Sequence, residues 1–95
     1  MINEFENKYL EFNMKVCNIE GVDETLLDEI LDLMEKIKIK YSKVDYIPKQ
    51  LAGLFIDISE SLVAYSNYYN NEEEKQNIIE SADILAEKAR EICFD

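Results

Sequence analysis

Gly21, Pro48 and Gly53 make up the whole glycine and proline content of a 95-residue chain. Tight turns and hairpins draw heavily on both residues, glycine for its positive φ and proline for its fixed one. Three of them leave room for few turns, so the chain must run in long helices. The length sets a single domain, because one core commonly takes about 100–150 residues.

The apolar residues recur with a helical period. Phe5, Tyr9, Phe12 and Val16 line one face of a helix over about 4–17. Asn3 and Glu6 have the spacing of an N-cap and its returning acid. Gly21 falls where a helix C-terminal turn can need a positive φ. Asp23 or Thr25 caps a second helix, 24–41, with Leu27, Ile30, Leu31, Met34, Ile37 and Tyr41 inside. Lys36, Lys38 and Lys40 suit the negative end of its dipole. The alternation from Ile37 to Tyr41 also fits a short strand, though no clear partner strand appears.

Pro48 opens a third helix over 48–69, with Leu51, Leu54, Phe55, Ile58, Leu62, Tyr65 and Tyr69 on its inner face. Gly53 inside it costs about 1 kcal/mol relative to alanine and suits the close approach of a neighbouring helix. Asn71 and Glu74 repeat the capping spacing before a fourth helix, 72–93, carrying Ile78, Ala82, Leu85, Ala89 and Ile92. Its small residues Ala82, Ala86 and Ala89 point to close packing. The expectation is all-α: one antiparallel up-and-down four-helix bundle over residues 1–95. Leu26, Leu33 and Ile39 lie off the second stripe. They either widen the core or expose a dimer face, so the free protein is read as monomer or homodimer.

Charge is segregated along the chain. The net value is −11, which argues against direct contact with nucleic acid, whose phosphates need cations. Glu20, Asp23, Glu24, Asp28, Glu29, Asp32 and Glu35 form a run without a base. Five bases follow between Lys36 and Lys49, and then Asp57, Glu60, Glu72, Glu73 and Glu74 with no base among them. Glu24, Asp28, Asp32 and Glu35 share one face of the second helix, where like charges repel by a few tenths of a kcal/mol per pair. One reading is a solvated face that keeps the chain soluble. The other is an anionic patch kept for a basic partner, extended by Asp57, Glu60, Glu72 and Glu73. Glu80, Asp83, Glu87 and Glu91 form a further row, diluted by Lys88 and Arg90.

Tyrosine is the second signal. Tyr41 and Tyr46 flank the 42–47 connector, and Tyr65, Tyr68 and Tyr69 close the third helix. Tyr65 and Tyr69 fall on the core stripe, while Tyr68 follows Asp57, Ser61 and Ala64 along an outward face. Tyrosine beside carboxylates makes a binding surface of rigid planes with polar tips.

Catalytic patterns are scarce. With no histidine, Ser-His-Asp and Cys-His arrangements and Glu-x-x-His iron ligands are excluded. Two glycines 32 positions apart cannot build a phosphate loop. A calcium loop over Asp23–Glu35 has the acids but leucines between them. The expectation is a protein that is not an enzyme and carries no cofactor and no metal. No apolar run approaches the roughly 20 residues that span a bilayer, and no leader pattern is visible. The reading is therefore cytoplasmic, off the membrane, with Cys17 and Cys93 as reduced thiols; a disulfide between them would instead suit an oxidising compartment.

A small, acidic, histidine-free helical chain with acids and tyrosines around Asp28, Asp32, Tyr65 and Tyr68 resembles bacterial immunity proteins. Those neutralise nuclease toxins of colicin or contact-dependent growth inhibition systems. The resemblance is one of type, spread over the whole chain, and no motif matches residue by residue. It implies a partner that is a basic toxin nuclease domain, blocked sterically and electrostatically. The physical logic runs the same way, since an anionic surface can cover a cationic cleft and speed its own docking. The residues expected to meet the partner are Glu24, Asp28, Asp32, Glu35, Tyr46, Asp57, Glu60, Tyr65, Tyr68, Tyr69, Glu72 and Glu73. The alternatives are a helical adaptor whose acids merely solubilise it, and a phage nucleic-acid mimic directed at host defence.

Overall fold

The computed structural model describes residues 1–58 and 60–94. They form an all-α, four-helix fold from five helical segments: α1 (Ile2–Cys17), α2 (Glu24–Lys40), α3 (Lys49–Asp57), α4 (Glu60–Ser66) and α5 (Glu72–Phe94). No strand occurs among the described residues, and Ile37–Lys40 is the last turn of α2.

Each helix begins and ends for local reasons. Asp23 caps α2, its Oδ1 accepting the Leu26 N–H at 3.0 Å, so Thr25 is inside the helix. Asn71 caps α5 by accepting the Glu74 N–H at 3.1 Å. α1 departs from the expected cap: it starts at Ile2 with no side-chain cap. Asn3 and Glu6 are one turn too late for that role, and their side chains accept instead from Gln50 Nε2 at 3.0 and 3.3 Å. Pro48 is the N-cap of α3 (ψ 145°), one residue before the first helical position.

The stretch expected as one helix over 48–69 divides into α3 and α4; its position Ser59 lies outside the described residues. Ile58 keeps helical angles, and Ser61 Oγ donates to the Asp57 carbonyl at 3.0 Å, so the two segments share one corner of the bundle. α4 then stops at Ser66 rather than Tyr69. Ser66 Oγ bonds the Val63 carbonyl, and Asn67, Tyr68 and Tyr69 donate to residues three back, which winds the chain tighter than an α-helix.

One core fills the bundle. Phe5, Tyr9, Phe12 and Val16 from α1 meet Ile30, Met34 and Ile37 from α2, Leu62 from α4 and Ile78, Ala82 and Leu85 from α5. Leu26 and Leu33 are buried and widen this core, whereas Ile39 is 66% exposed.

The ion pairs fix how helices run beside one another. Lys8–Glu29 and Lys15–Asp23 (2.7 Å) link rising positions on α1 to falling ones on α2, so this pair is antiparallel. Lys88–Glu35 and Lys38–Glu91 (2.9 Å) keep a constant offset, so α2 and α5 lie parallel. α4 packs on α5 and α1. Around the bundle the order is therefore α1, α2, α5, α4, and the α2/α5 and α1/α4 sides face opposite ways. The molecule measures 44 × 21 × 19 Å. Cys17 and Cys93 are both free and occupy opposite ends, beyond the reach of a disulfide.

Candidate functional site

The parallel α2/α5 pair builds the most acidic side of the molecule. A groove of about 480 Å³ runs between the helices, lined by Leu31, Asp32, Glu35, Ile84, Glu87, Lys88 and Glu91. On α2, Glu24, Asp28, Asp32 and Glu35 are all exposed along one ridge. On α5, Glu80, Glu87 and Glu91 fall at helical spacing and form the other ridge. Nearer the α2 N-terminus a smaller recess of about 240 Å³ is lined by Glu20, Val22, Glu24, Glu74 and Asn77.

The cation in the groove is engaged. Lys88 pairs with Glu35 and lies 3.8 Å from Glu91, with its side chain 22% exposed. The Lys88 ammonium holds the Glu35 carboxyl below its usual range, and Lys38 does the same for Glu91. Both acids therefore stay ionised, and Lys88 gives little positive charge to the surface. Among the described residues, Glu24, Asp28 and Asp32 make no ion pair. Leu31 and the half-exposed Ile84 supply an apolar floor. Such a groove can orient a cationic side chain over carboxylates while its stem packs on aliphatic carbon.

The opposite side carries the tyrosines. Tyr65, partly buried beside Cys17, meets Tyr68 at 6.0 Å between ring centroids, and Tyr68 is 60% exposed. Asp57 and Glu60 are exposed on the same corner, and Leu10 and Met14 stand out from α1.

The twelve residues expected to meet a partner therefore do not form one surface. Glu24, Asp28, Asp32 and Glu35 lie on the α2/α5 side, and Asp57, Glu60, Tyr65 and Tyr68 on α3 and α4. Glu72 and Glu73 are exposed at the first turn of α5. Tyr46 is 74% exposed but belongs to the far end, beside Val44, Ile92 and Phe94.

Tyr69 is corrected outright: it is 2% exposed. Its hydroxyl donates to the Val16 carbonyl at 2.7 Å and accepts the Gly21 N–H at 2.9 Å, so it latches the α1–α2 turn from inside the fold. Burial raises its pKa, which keeps that proton in place.

Lining residues absent from the expected set are Leu31 on α2 and Ile84, Glu87, Lys88 and Glu91 on α5. The acidic row of α5 is readable in the sequence, but it gains importance only from the position of α5 beside α2.

Among the described residues no cluster of three or more acids or cysteines is arranged to hold a metal ion, and no helix is long and apolar enough to cross a membrane. Comparison with protein-family models, with curated proteins and with solved structures gives no match for this chain.

Proposed function

We propose that this chain is an immunity-type inhibitor that binds a basic protein, a bacterial nuclease toxin first among the candidates, and blocks it sterically and electrostatically. The observation that carries the reading is the α2/α5 groove, in which two parallel helices present acids on both walls over an apolar floor. A nuclease offers the complement, a cationic cleft shaped for phosphates. The unpaired Asp28 and Asp32 steer the encounter, and Ile84 and Leu31 bury apolar area once docked. The α1/α4 tyrosines face away and take no part in this contact. The cytoplasm is the compartment in which two separated free thiols persist.

The test begins with capture of the partner from the native organism, followed by assay of its nuclease activity with and without the chain. Association is then timed by stopped flow across ionic strength. The expected outcome is loss of nuclease activity, and an association rate that falls steeply with salt and drops about tenfold in the Asp28→Lys/Asp32→Lys variant. The Asp57→Lys/Glu60→Lys variant, altered on another corner, keeps the wild-type rate. An association rate indifferent to salt and to the α2 variant would overturn the reading in favour of a helical adaptor. Competition by DNA for the partner's surface, with host-defence rather than toxin activity in that partner, would favour nucleic-acid mimicry.

A further inference from the structure

α3 carries no net charge in an otherwise acidic protein, with Lys49 at its start and Asp57 at its end. Residues 46–56 contain no acid, and Lys49 is their one charge. Only Leu51 of α3 is buried. Ile56 is 76% exposed, the most exposed aliphatic side chain among the described residues. Beside it a groove of about 320 Å³ opens between α3 and α5, with Ala52, Ala86 and Ala89 among its lining residues. Among the described residues nothing covers the side of α3 that bears Gly53 and Ile56.

Gly53 sharpens the question. A mid-helix glycine is costly and suits the close approach of another helix. Yet among the described residues nothing lies within 4 Å of where its Cβ would be, so none of the other described helices makes that approach. Lys49, Ala52, Gly53 and Ile56 are spaced to share one face of α3.

We propose that this face is a homodimer interface, with α3 of one copy crossing α3 of a second in antiparallel sense over Gly53. The charges favour a second copy as the occupant. α3 begins with Lys49, and its far end carries Asp57, with Glu60 just beyond. Antiparallel pairing therefore brings the cation of each copy to the acidic end of the other, and it does so twice by symmetry. Between those ends the contact is uncharged, so two chains of net charge −11 meet where no acids oppose. Ile56 of each copy covers the open surface at Gly53 of the other. The face is one short helix wide, well below the area of an obligate dimer, so association is weak and concentration-dependent. The α2/α5 groove stays open in both copies, because α3 sits at the corner opposite α2. The inference is independent of the proposed inhibitor function.

Sedimentation equilibrium of the whole chain, from about 10 µM to about 1 mM, provides the test. The expected result is a mass rising from 11.2 kDa towards twice that value. Ile56→Asp is expected to raise the dissociation constant about tenfold or more at unchanged helical circular dichroism. Gly53→Ala separates the interface from folding: it raises the melting temperature of the monomer but weakens the dimer. Lys49→Glu weakens association, and adding Asp57→Lys with Glu60→Lys restores it. A monomer throughout the concentration range overturns the proposal. So does a dimer that ignores both Ile56→Asp and Gly53→Ala, since its interface then lies elsewhere.

Discussion

Ile19 occupies the left-handed backbone region at φ +63°, an unusual place for a β-branched residue. It stands where a helix end normally has glycine. The Glu20 N–H reaches the Lys15 carbonyl at 2.9 Å and the Ile19 N–H reaches Val16 at 3.1 Å, the paired bonds of a Schellman ending. The Tyr69 hydroxyl braces the same turn from inside, on Val16 and Gly21. The positive φ of Gly21 (83°) was legible because glycine invites it. That of Ile19 was not, because its cause is where the last carbonyls of α1 find donors. Left-handed isoleucine costs about 1–2 kcal/mol, and its side chain is half exposed and buries little in return. Ile19→Gly is therefore expected to stabilise the fold by about 0.5–1 kcal/mol, after allowing for the freer unfolded chain. Urea unfolding reads this as a higher midpoint at unchanged slope.

At the scale of elements, α2 is held by its ends. Asp23 both caps the helix and pairs with Lys15 of α1 at 2.7 Å. The Lys15 ammonium, then the Leu26 N–H, hold its carboxyl below the ordinary aspartate range. A depressed folded pKa means stability that is fully present above the unfolded value, about pH 4, and lost as pH falls through the folded one. Glu35 and Glu91, depressed by Lys88 and Lys38, act in the same direction at the other end of α2. Protonation also relieves repulsion among the excess acids, so the readout is a difference: between about pH 5 and pH 2.5 the melting-temperature advantage of wild type over Asp23→Asn is expected to shrink. That variant keeps an acceptor for Leu26 and loses the ionisation. A difference that stays constant with pH would remove Asp23 from the account.

Four helical stripes were legible because apolar spacing reports directly on which face is covered. The division of 48–69 was not. Its apolar stripe runs on through Ile58, Leu62, Tyr65 and Tyr69, while Ser61 and Ser66 compete for the backbone from within.

For the whole molecule, the question is which helices stand side by side, and no stripe contains that information. Glu35 and Lys88 are 53 positions apart, as are Lys38 and Glu91. Lys88 in a row of acids looks like dilution until its ammonium is found between Glu35 and Glu91. Half the candidate site, the α2 ridge, was therefore readable in advance. The α5 acids are readable as a row but not as the facing wall, and no stripe shows that the tyrosines face the other way. A net charge of −11 also acts on the molecule as a whole by self-repulsion. Raising sodium chloride from about 0.05 M to about 0.5 M is expected to raise the melting temperature, because screening relieves repulsion while the exposed ion pairs contribute little. Asp28→Lys/Asp32→Lys is expected to melt higher than wild type at low salt and to gain less from added salt. A melting temperature that falls with salt would mean that the ion pairs outweigh the repulsion.

The parallel α2/α5 pair also sets a timetable. Translation delivers α2 well before α5, at about 5–20 residues per second. During those seconds the emerging chain carries an acidic ridge with no facing wall, and Glu35 has no Lys88 to meet. Neither helix alone makes the groove, so the groove does not build up gradually as the chain lengthens. It arrives in one step, when α5 docks.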